Sequence, residues 1–244
     1  MDCFLAYDVG TSSVKSILVD TAGTIHASAI EEYPLQMPNP GWVEQNPEDY
    51  WNAICKATKH LVADSSVALK DIKGIVFTTQ AMGIIPVNKA GEILHPNISW
   101  VDGRAEKQAL SIMRKLGGKT IFKKIIGVEI TGKDVIPKLI WLKENRPEIF
   151  KDTYKILDVN GYLRYKCTDR MAAEWSGACS YAFNLKKKDW ERILFSFSGV
   201  GTDKLPDLVR SIDEAGKLTH QAAIEMGLMA GIPVFGGCDD TQSA

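Results

Sequence analysis

The sequence has no excess of either charge and no long apolar run, and each absence excludes a class of protein. Its 29 Lys and Arg residues are balanced by 30 Asp and Glu residues over 244 positions. Without a net electrostatic field, binding to nucleic acid or to an anionic membrane surface is not favoured. No apolar stretch approaches the roughly 20 residues of a membrane helix. The expected partner is therefore a small molecule, with no nucleic acid and no membrane.

Paired cysteine spacing is also missing. The five cysteines are odd in number and widely scattered, unlike those of a zinc site or a disulfide framework. Residues 1–8 run directly into a strand pattern, without the basic segment, apolar core and cleavage site of a secretory leader. Both observations predict a reduced, cytoplasmic protein.

Hydrophobic patterning predicts an α/β fold. Three strands, at Cys3 to Asp8, Val14 to Asp20 and Ile25 to Tyr33, are joined by links so short that neighbours must be antiparallel. Asn46 and Pro47 have the residue types of a helix start. Further along, the pattern predicts helices at Arg104 to Leu116 and Pro137 to Asn145, and strands at Gly74 to Thr78, Ile84 to Val87, Tyr154 to Asp158 and Pro233 to Gly237, the last ending in a loop that contains Asp239 and Asp240.

A short loop between the first two strands has the composition of a phosphate site. It reads Asp8-Val9-Gly10-Thr11-Ser12-Ser13-Val14-Lys15. Gly10 permits a tight turn, in which N–H and hydroxyl donors can converge on an anion. Asp8, at the strand end, can hold a hydrated Mg²⁺. An ordinary hairpin with an acidic flank is the alternative, and neither the GxxxxGK[ST] loop nor the GxGxxG turn is present.

Four ordered motifs resemble a known family. The first strands with their Asp-x-Gly-Thr loop resemble the first phosphate motif of actin-like, sugar-kinase and Hsp70 ATPases. Gly41 to Pro47, Trp100 to Arg104 and Pro137 to Leu142 resemble the Trp-x-Glu-x-x-Pro, Trp-x-Asp-x-Arg and Pro-Lys-Leu-x-Trp segments of FGGY carbohydrate kinases. The resemblance spans residues 1–244 and implies that family's N-terminal, sugar-binding domain, an RNase H-like fold with a mixed β-sheet flanked by helices.

Within the family the chain is most similar to xylulokinases, through Pro137 to Leu142, Asp158 to Arg164 and Gly236 to Asp239. It departs from them at Gln80-Ala81-Met82-Gly83, where xylulokinases have Gln-Met-His-Gly, so a methionine replaces a histidine that touches the sugar. The Arg-Glu pair of glycerol kinases is missing too. The acceptor therefore stays open between a pentulose such as xylulose and glycerol, gluconate or another ketose or polyol.

The resemblance implies ATP and Mg²⁺ as cofactors and gives roles to individual residues. Asp239 is the expected catalytic base, and the neighbouring Asp240 is expected to raise the pKa of one of the two carboxyls. The residues expected to bind the acceptor are Gln80, Ala81, Met82, Trp100, Asp102 and Asp239. Those expected to bind phosphate are Asp8, Gly10, Thr11, Ser12, Ser13 and Lys15, with Asp8 reaching Mg²⁺ through water. Arg104 is as well placed to pair with Asp102 as to meet a substrate.

The last residues lead to an expectation about domains. Ala244 follows a strand and a glycine-rich turn, where an α/β protein normally continues into a helix. We expect a C-terminal ATP-binding domain that is absent from this chain, and a fragment that is inactive by itself. A non-catalytic sugar-binding module and a cytoskeletal or chaperone-type ATPase remain alternatives. The sequence leaves open whether the full-length protein forms a homodimer.

Overall fold

The computed structural model describes residues 1–115, 117–118, 120, 124, 129–192, 195–196 and 199–243. The strands are β1 (Cys3–Val9), β2 (Ser13–Asp20), β3 (Ile25–Glu32), β4 (Glu44–Gln45), β5 (Ile72–Thr79), β6 (Ile85–Val87), β7 (Asn97–Ile98), β8 (Lys155–Leu157), β9 (Ala172–Glu174), β10 (Phe183–Asn184), β11 (Asp189–Trp190), β12 (Asp207–Val209), β13 (Glu214–Lys217), β14 (Pro233–Phe235) and β15 (Cys238–Asp239).

The helices are α1 (Pro47–Asp64), α2 (Glu106–Lys115), α3 (Val135–Asn145), α4 (Pro147–Asp152), α5 (Val159–Thr168), α6 (Trp175–Cys179), α7 (His220–Met226) and α8 (Asp240–Ser243), with 3₁₀ turns at Leu69–Asp71 and Thr202–Lys204. Among the described residues, none of these helices combines the length and apolarity needed to span a bilayer.

The central sheet is mixed, as the family resemblance implied. Its strand order is β13-β14-β5-β1-β2-β3, and β15 also pairs with β5. The β1–β2 and β2–β3 pairs are antiparallel, which confirms the prediction from their short links. The β1–β5, β14–β5 and β15–β5 pairs are parallel. Parallel strands end at the same edge of a sheet, so the residues that follow β1, β5 and β15 are brought together.

Helix α1 begins where the sequence predicts. The Asn46 side chain accepts a hydrogen bond from the Glu48 N–H at 3.2 Å, Pro47 occupies the first turn, and Glu48 and Asp49 lie near the positive end of the helix dipole. The helix packs on β2 and β3. The buried residues of its apolar face include Tyr50, Trp51, Ile54, Ala57 and Leu61.

Several predicted boundaries differ from the structure: α3 begins at Val135 rather than Pro137, and β8 covers only Lys155–Leu157. Two further differences have local reasons. Helix α2 begins at Glu106, because Arg104 lies in a turn and bonds back to Asp102; the predicted end at Leu116 lies outside the described residues. The strand predicted at 233–237 ends at Phe235. A Cβ on Gly236 would lie 2.1 Å from the Arg210 carbonyl oxygen, and one on Gly237 would lie 2.1 Å from that of Phe77.

This close approach needs glycine at both positions, and Gly237 also has a left-handed φ of 72°. The strand resumes as β15, so Asp239 ends a strand and Asp240 opens a helix. Neither aspartate lies in the loop that the sequence predicts.

Candidate functional site

The register of three neighbouring strands places Asp239 beside the glycine-containing loop. Val9 pairs with Thr79 across β1 and β5, and Thr79 pairs with Asp239 across β5 and β15. With about 4.8 Å between neighbouring strands, the ends of β1 and β15 lie roughly 10 Å apart. The loop at 10–12 follows β1 directly, so it and Asp239 share one edge of the sheet.

A cavity of about 200 Å³ opens at this edge. Its wall is formed by Gln80, Ala81, Met82, Trp100, Asp240 and Thr241. Trp100 is 41% exposed, and its indole N–H donates to Thr11 Oγ1 at 3.0 Å. Gln80 Nε2 donates to the Gly10 carbonyl at 3.2 Å. The cavity wall and the loop after β1 are therefore one connected site.

Gln80, which lines this cavity, has a buried hydrogen-bond acceptor without a partner among the residues described. The residue is only 2% exposed, and its Nε2 also donates to Gln45 Oε1 at 3.1 Å. Within the part of the chain that the structure describes, no group donates to Gln80 Oε1. A buried oxygen without a partner is costly. A hydroxyl group bound in the cavity is the kind of donor that would satisfy it.

Asp239 is buried directly behind the rim of the cavity. It is 6% exposed, its N–H donates to Ser176 Oγ at 2.8 Å, and its Oδ1 accepts from the Gln242 N–H at 3.0 Å. Burial raises the pKa of the Asp239 carboxyl; the hydrogen bond from Gln242 opposes this rise, and the charge of Asp240 adds to it. Asp240 and Thr241, rather than Asp239, line the cavity in this structure.

The loop after β1 presents donors to solvent. The Tyr33 hydroxyl donates to the carbonyls of Gly10 at 2.7 Å and Ser13 at 2.9 Å, which holds both oxygens inward. Among the described residues, nothing accepts from the N–H groups of Thr11 and Ser12. Free, adjacent N–H groups in a tight turn fit a phosphate oxygen.

The charged residues flanking this loop are exposed. Lys15 Nζ lies 3.6 Å from Asp8 Oδ2, and the two side chains are 66% and 44% exposed. In the described ranges, no three His, Cys, Asp or Glu side chains gather into a direct metal site. A single exposed carboxylate fits Mg²⁺ that keeps most of its water ligands.

Asp102 is not brought together with the other predicted acceptor-binding residues. Its side chain is fully buried. Oδ1 accepts from the backbone N–H and Nε of Arg104 at 2.9 Å, and Oδ2 accepts from the Val43 N–H at 2.5 Å and from Arg104 Nη2 at 2.7 Å. Both carboxylate oxygens are occupied, so Asp102 supports the cavity from behind.

Three of the four motifs converge on Arg104, whose side chain is fully buried. Its Cζ lies 3.9 Å from the ring centroid of Trp42 and 4.8 Å from that of Trp141, and its Nη1 lies 2.7 Å from Glu44 Oε1. We call Trp42, Glu44, Asp102, Arg104 and Trp141 the Arg104 cluster. Planar guanidinium suits this combination of paired carboxylates and stacked rings. Asp102 and Arg104, which the sequence suggested as substrate contacts, thus mainly bind each other and the rest of this cluster.

Lys138 has a position that the sequence did not reveal. Its side chain is buried in α3, and Nζ donates to the Met82 carbonyl at 2.9 Å and the Ser99 carbonyl at 2.8 Å. Burial lowers the pKa of Lys138 to about 7, although Asp102 and Asp134 oppose the shift. The sequence feature that could have indicated this position is a lysine within the apolar run Pro-Lys-Leu-Ile-Trp, since a lysine is rarely buried without a specific partner.

A second buried arginine supports the turn that carries Asp239. Arg164 Nη2 donates to Asn160 Oδ1 and to the Gly236 carbonyl, each at 2.6 Å, and Asn160 Nδ2 donates to the Cys238 carbonyl at 3.2 Å. We call Asn160, Arg164 and the turn at 236–238 the Arg164 cluster. Glu174 accepts from the Ser176 hydroxyl, which in turn holds the Asp239 N–H.

The strand order, the donor loop after β1 and the buried carboxylate at the end of β15 define a domain of the actin-like ATPase class. The family model described as the FGGY family of carbohydrate kinases, N-terminal domain, matches residues 3–244. The chain belongs to the FGGY family of carbohydrate kinases. This confirms the family and the fold that the motifs indicated.

The similar proteins include kinases for different acceptors. A xylulose kinase of Bacillus subtilis is 32% identical over 100% of this chain and 49% of its own length. A glycerol kinase of Thermococcus kodakarensis is 30% identical over 98% of the chain and 48% of its own length. A solved xylulose kinase from Rhodospirillum rubrum superposes with a TM-score of 0.88 at 25% identity, over 98% of this chain and 50% of that one. The chain spans about half the length of the relatives it matches.

Proposed function

We propose that this chain carries the acceptor site, the first phosphate loop and the catalytic base of an ATP-dependent carbohydrate kinase, with a pentulose such as xylulose as its acceptor. The main support is the direct connection between cavity and loop, through Trp100 with Thr11 and Gln80 with Gly10. Phosphoryl transfer depends on positioning an acceptor hydroxyl against a phosphate, and this arrangement brings the two sites into contact. The likeness to xylulose kinases supports the acceptor class.

Each predicted site residue takes a role in this proposal. Gln80 Oε1 accepts from an acceptor hydroxyl, and the Trp100 ring covers the C–H face of the sugar. Ala81 and Met82 form the apolar wall. Asp239 takes the proton of the reacting hydroxyl, for which a raised pKa is suited. Asp102 acts through Arg104 and Val43 rather than by direct contact.

The loop between β1 and β2, with the strand residues that flank it, is proposed to hold the nucleotide's phosphates and their metal. The N–H groups of Thr11 and Ser12, the hydroxyl of Ser13 and the ammonium of Lys15 are the proposed phosphate ligands, and Gly10 allows the close approach. Asp8 would hold Mg²⁺ through its water shell. When bound, that ion neutralises charge on the phosphates. A second, C-terminal domain that supplies the adenosine site belongs to the same proposal, as does a reducing, cytoplasmic setting, which the five free cysteines support.

Calorimetric titration of the chain with pentuloses, pentitols, glycerol, gluconate and hexuloses tests the acceptor site. We expect saturable binding of a pentulose, and about a fivefold weaker Kd in Trp100→Ala, because stacking on an aromatic face contributes on the order of 1 kcal/mol. Glycerol binding in place of pentulose binding would favour the acceptor named for the Thermococcus kodakarensis relative. A flat response to every compound would contradict an acceptor site in this domain.

Asp239→Asn tests the base. In a two-domain protein with ATP and Mg²⁺, we expect turnover to fall by about 10²–10⁴-fold while the acceptor Kd stays within twofold or so, since general-base catalysis contributes that much. Asp240→Asn is the matched control. It should retain more activity than Asp239→Asn, because an amide of the same shape preserves the cavity wall that Asp240 lines. It should also move the acidic limb of the pH–rate profile to lower pH, because the charge of Asp240 helps to raise the pKa of Asp239. Wild-type turnover in Asp239→Asn would refute the assignment.

A further inference from the structure

The cavity wall is built from two chain segments that are separate in sequence. Residues 80–83 follow β5 and contribute Gln80, Ala81 and Met82, whereas residues 99–100 follow β7 and contribute Trp100. Next to these segments, Ile84 and Ile98 exchange a pair of backbone hydrogen bonds, at 3.1 and 3.3 Å. Beyond that pair, the shape of the wall depends on what holds each segment.

Met82 lies in a backbone conformation that a side-chain-bearing residue rarely adopts. Its φ is 59°, in the left-handed region, which costs about 1–3 kcal/mol for a residue other than glycine unless the surroundings hold it. In this conformation the Met82 carbonyl faces Lys138 on α3. There the oxygen accepts from Lys138 Nζ at 2.9 Å.

The second segment is held by the same ammonium group. Lys138 Nζ donates to the Ser99 carbonyl at 2.8 Å, and that oxygen also accepts from the Asp102 N–H at 3.1 Å. Ser99 directly precedes Trp100. One buried nitrogen therefore fixes a carbonyl within the Met82 wall and a carbonyl next to the Trp100 wall.

The neighbouring contacts do not duplicate this link. The Tyr181 hydroxyl donates to the Gly83 carbonyl at 2.6 Å, which holds the 80–83 segment alone. The Ser99 N–H donates to the Val43 carbonyl at 3.0 Å, which holds the other segment alone. A separate bridge lies deeper, where the Tyr50 hydroxyl accepts from Gln80 Nε2 at 3.4 Å and from Asn97 Nδ2 at 2.9 Å. Lys138 joins the two segments nearer the cavity wall, at the Met82 carbonyl and at the carbonyl that precedes Trp100.

We propose that Lys138 is a positioning residue for acceptor binding, which sets the width of the cavity by tying the Met82 and Ser99 carbonyls to one point. The acceptor part of this inference rests on the proposed kinase function. The part that concerns the two segments does not, because it can be measured in the free chain.

The test compares Lys138→Met with Lys143→Met. Both lysines lie on α3, but Lys143 Nζ reaches the Gly199 carbonyl on the exposed surface, away from the cavity. Methionine keeps the apolar stem and removes the donors. We expect hydrogen exchange in peptides covering 79–84 and 97–103 to become about tenfold faster in Lys138→Met, the change expected for losing one buried hydrogen bond at each segment. Lys143→Met should leave both peptides unchanged.

Acceptor titration of the same variants gives the functional readout. At a temperature where circular dichroism shows full folding, we expect the Kd of the best acceptor to rise about tenfold in Lys138→Met. A residue that only stabilised the fold would not change the Kd of folded protein. Unchanged exchange in both peptides, uniformly faster exchange across the chain, or an unchanged Kd would each overturn the proposal.

Two further outcomes remain decisive. If Lys138→Met does not fold, Lys138→Gln replaces it, because the glutamine amide is one atom shorter and cannot reach both carbonyls. Faster exchange in at least one of the two peptides would then support the proposal, and wild-type exchange in both would overturn it. If the wild-type chain binds no sugar, the proposed acceptor site fails, while the exchange experiment still decides whether Lys138 couples the two segments.

Discussion

Two buried arginines, Arg104 and Arg164, hold segments that adjoin the site, and different chemistry supports each of them. Arg104 faces the carboxylates of Asp102 and Glu44 and stacks on Trp42 and Trp141. Arg164 donates instead to neutral oxygens, those of Ala172, Asn160 and Gly236. Burial lowers the pKa of Arg164, while the charges of Asp158 and Glu174 oppose that shift.

Because their partners differ, the two clusters should contribute differently to stability and to the geometry of the site. Removing the Arg104 side chain would leave two carboxylates without their cation, and an unpaired buried charge is among the costliest changes in a protein. Removing Arg164 would free carbonyl and amide oxygens, which costs less. The Arg104 cluster should therefore matter most for stability, whereas the Arg164 cluster should matter most for the position of Asp239.

The largest expected effect is that of Arg104→Met on stability. We expect the free energy of unfolding to fall by about 3–5 kcal/mol, because Asp102 and Glu44 lose their partner. Urea unfolding at pH 7 measures this. Arg210→Met is the matched control, since Arg210 pairs with Asp213 on the exposed surface and its loss should change the free energy of unfolding far less. Equal losses of unfolding free energy in the two variants would show that the buried Arg104 pairs stabilise the fold no more than an exposed pair does.

A smaller loss of stability is expected for Arg164→Met. The free energy of unfolding should fall by about 1–3 kcal/mol, the cost of leaving buried oxygens without a donor. The turn at 236–238 should shift and carry Asp239 with it. In a two-domain protein, the loss of turnover, expressed as activation free energy, should therefore exceed the loss in unfolding free energy. A stability loss as large as that of Arg104→Met would break the distinction between the clusters.

The smallest effect concerns pH. Lys138 has a folded pKa of about 7, and its environment contains Asp102 and Asp134, which raise that pKa, and Arg104 and Lys133, which lower it. The unfolded chain keeps the proton up to about pH 10.4. Above pH 7 the unfolded state therefore binds more protons, and the contribution of Lys138 to stability increases with pH, by at most about 1.4 kcal/mol per pH unit.

Urea unfolding between pH 7 and 8.5 tests this sign, because that window ends at the ordinary pKa of cysteine and below that of tyrosine. The difference in unfolding free energy between wild type and Lys138→Met should grow as pH rises. Lys143→Met should show the wild-type pH dependence. A difference that stays constant with pH would mean that Lys138 remains charged when buried.

Much of the site was predictable because its signals are local. Strand alternation predicted β1 to β3, the residue types at 46–49 predicted the start of α1, and the Asp-x-Gly-Thr loop was expected at the end of β1. The roles of Asp102 and Lys138 were not predictable from local pattern. An aspartate near a cavity and an aspartate behind it have the same sequence context, and only the positions of Val43 and Arg104 distinguish them.

The sequence by itself determined the fold class, the family and the candidate residues of the site, since these depend on periodicity and ordered motifs that neighbouring positions carry. The tertiary structure alone decided which of those residues face the cavity. That choice depends on the pairing of β1 with β5 and of β5 with β15, which aligns the ends of the three strands. It also depends on the glycines that allow the 236–237 backbone to approach Phe77 and Arg210, and on ion pairs between buried residues of distant segments. Such contacts join residues far apart in the chain, and no local pattern encodes the distance between them.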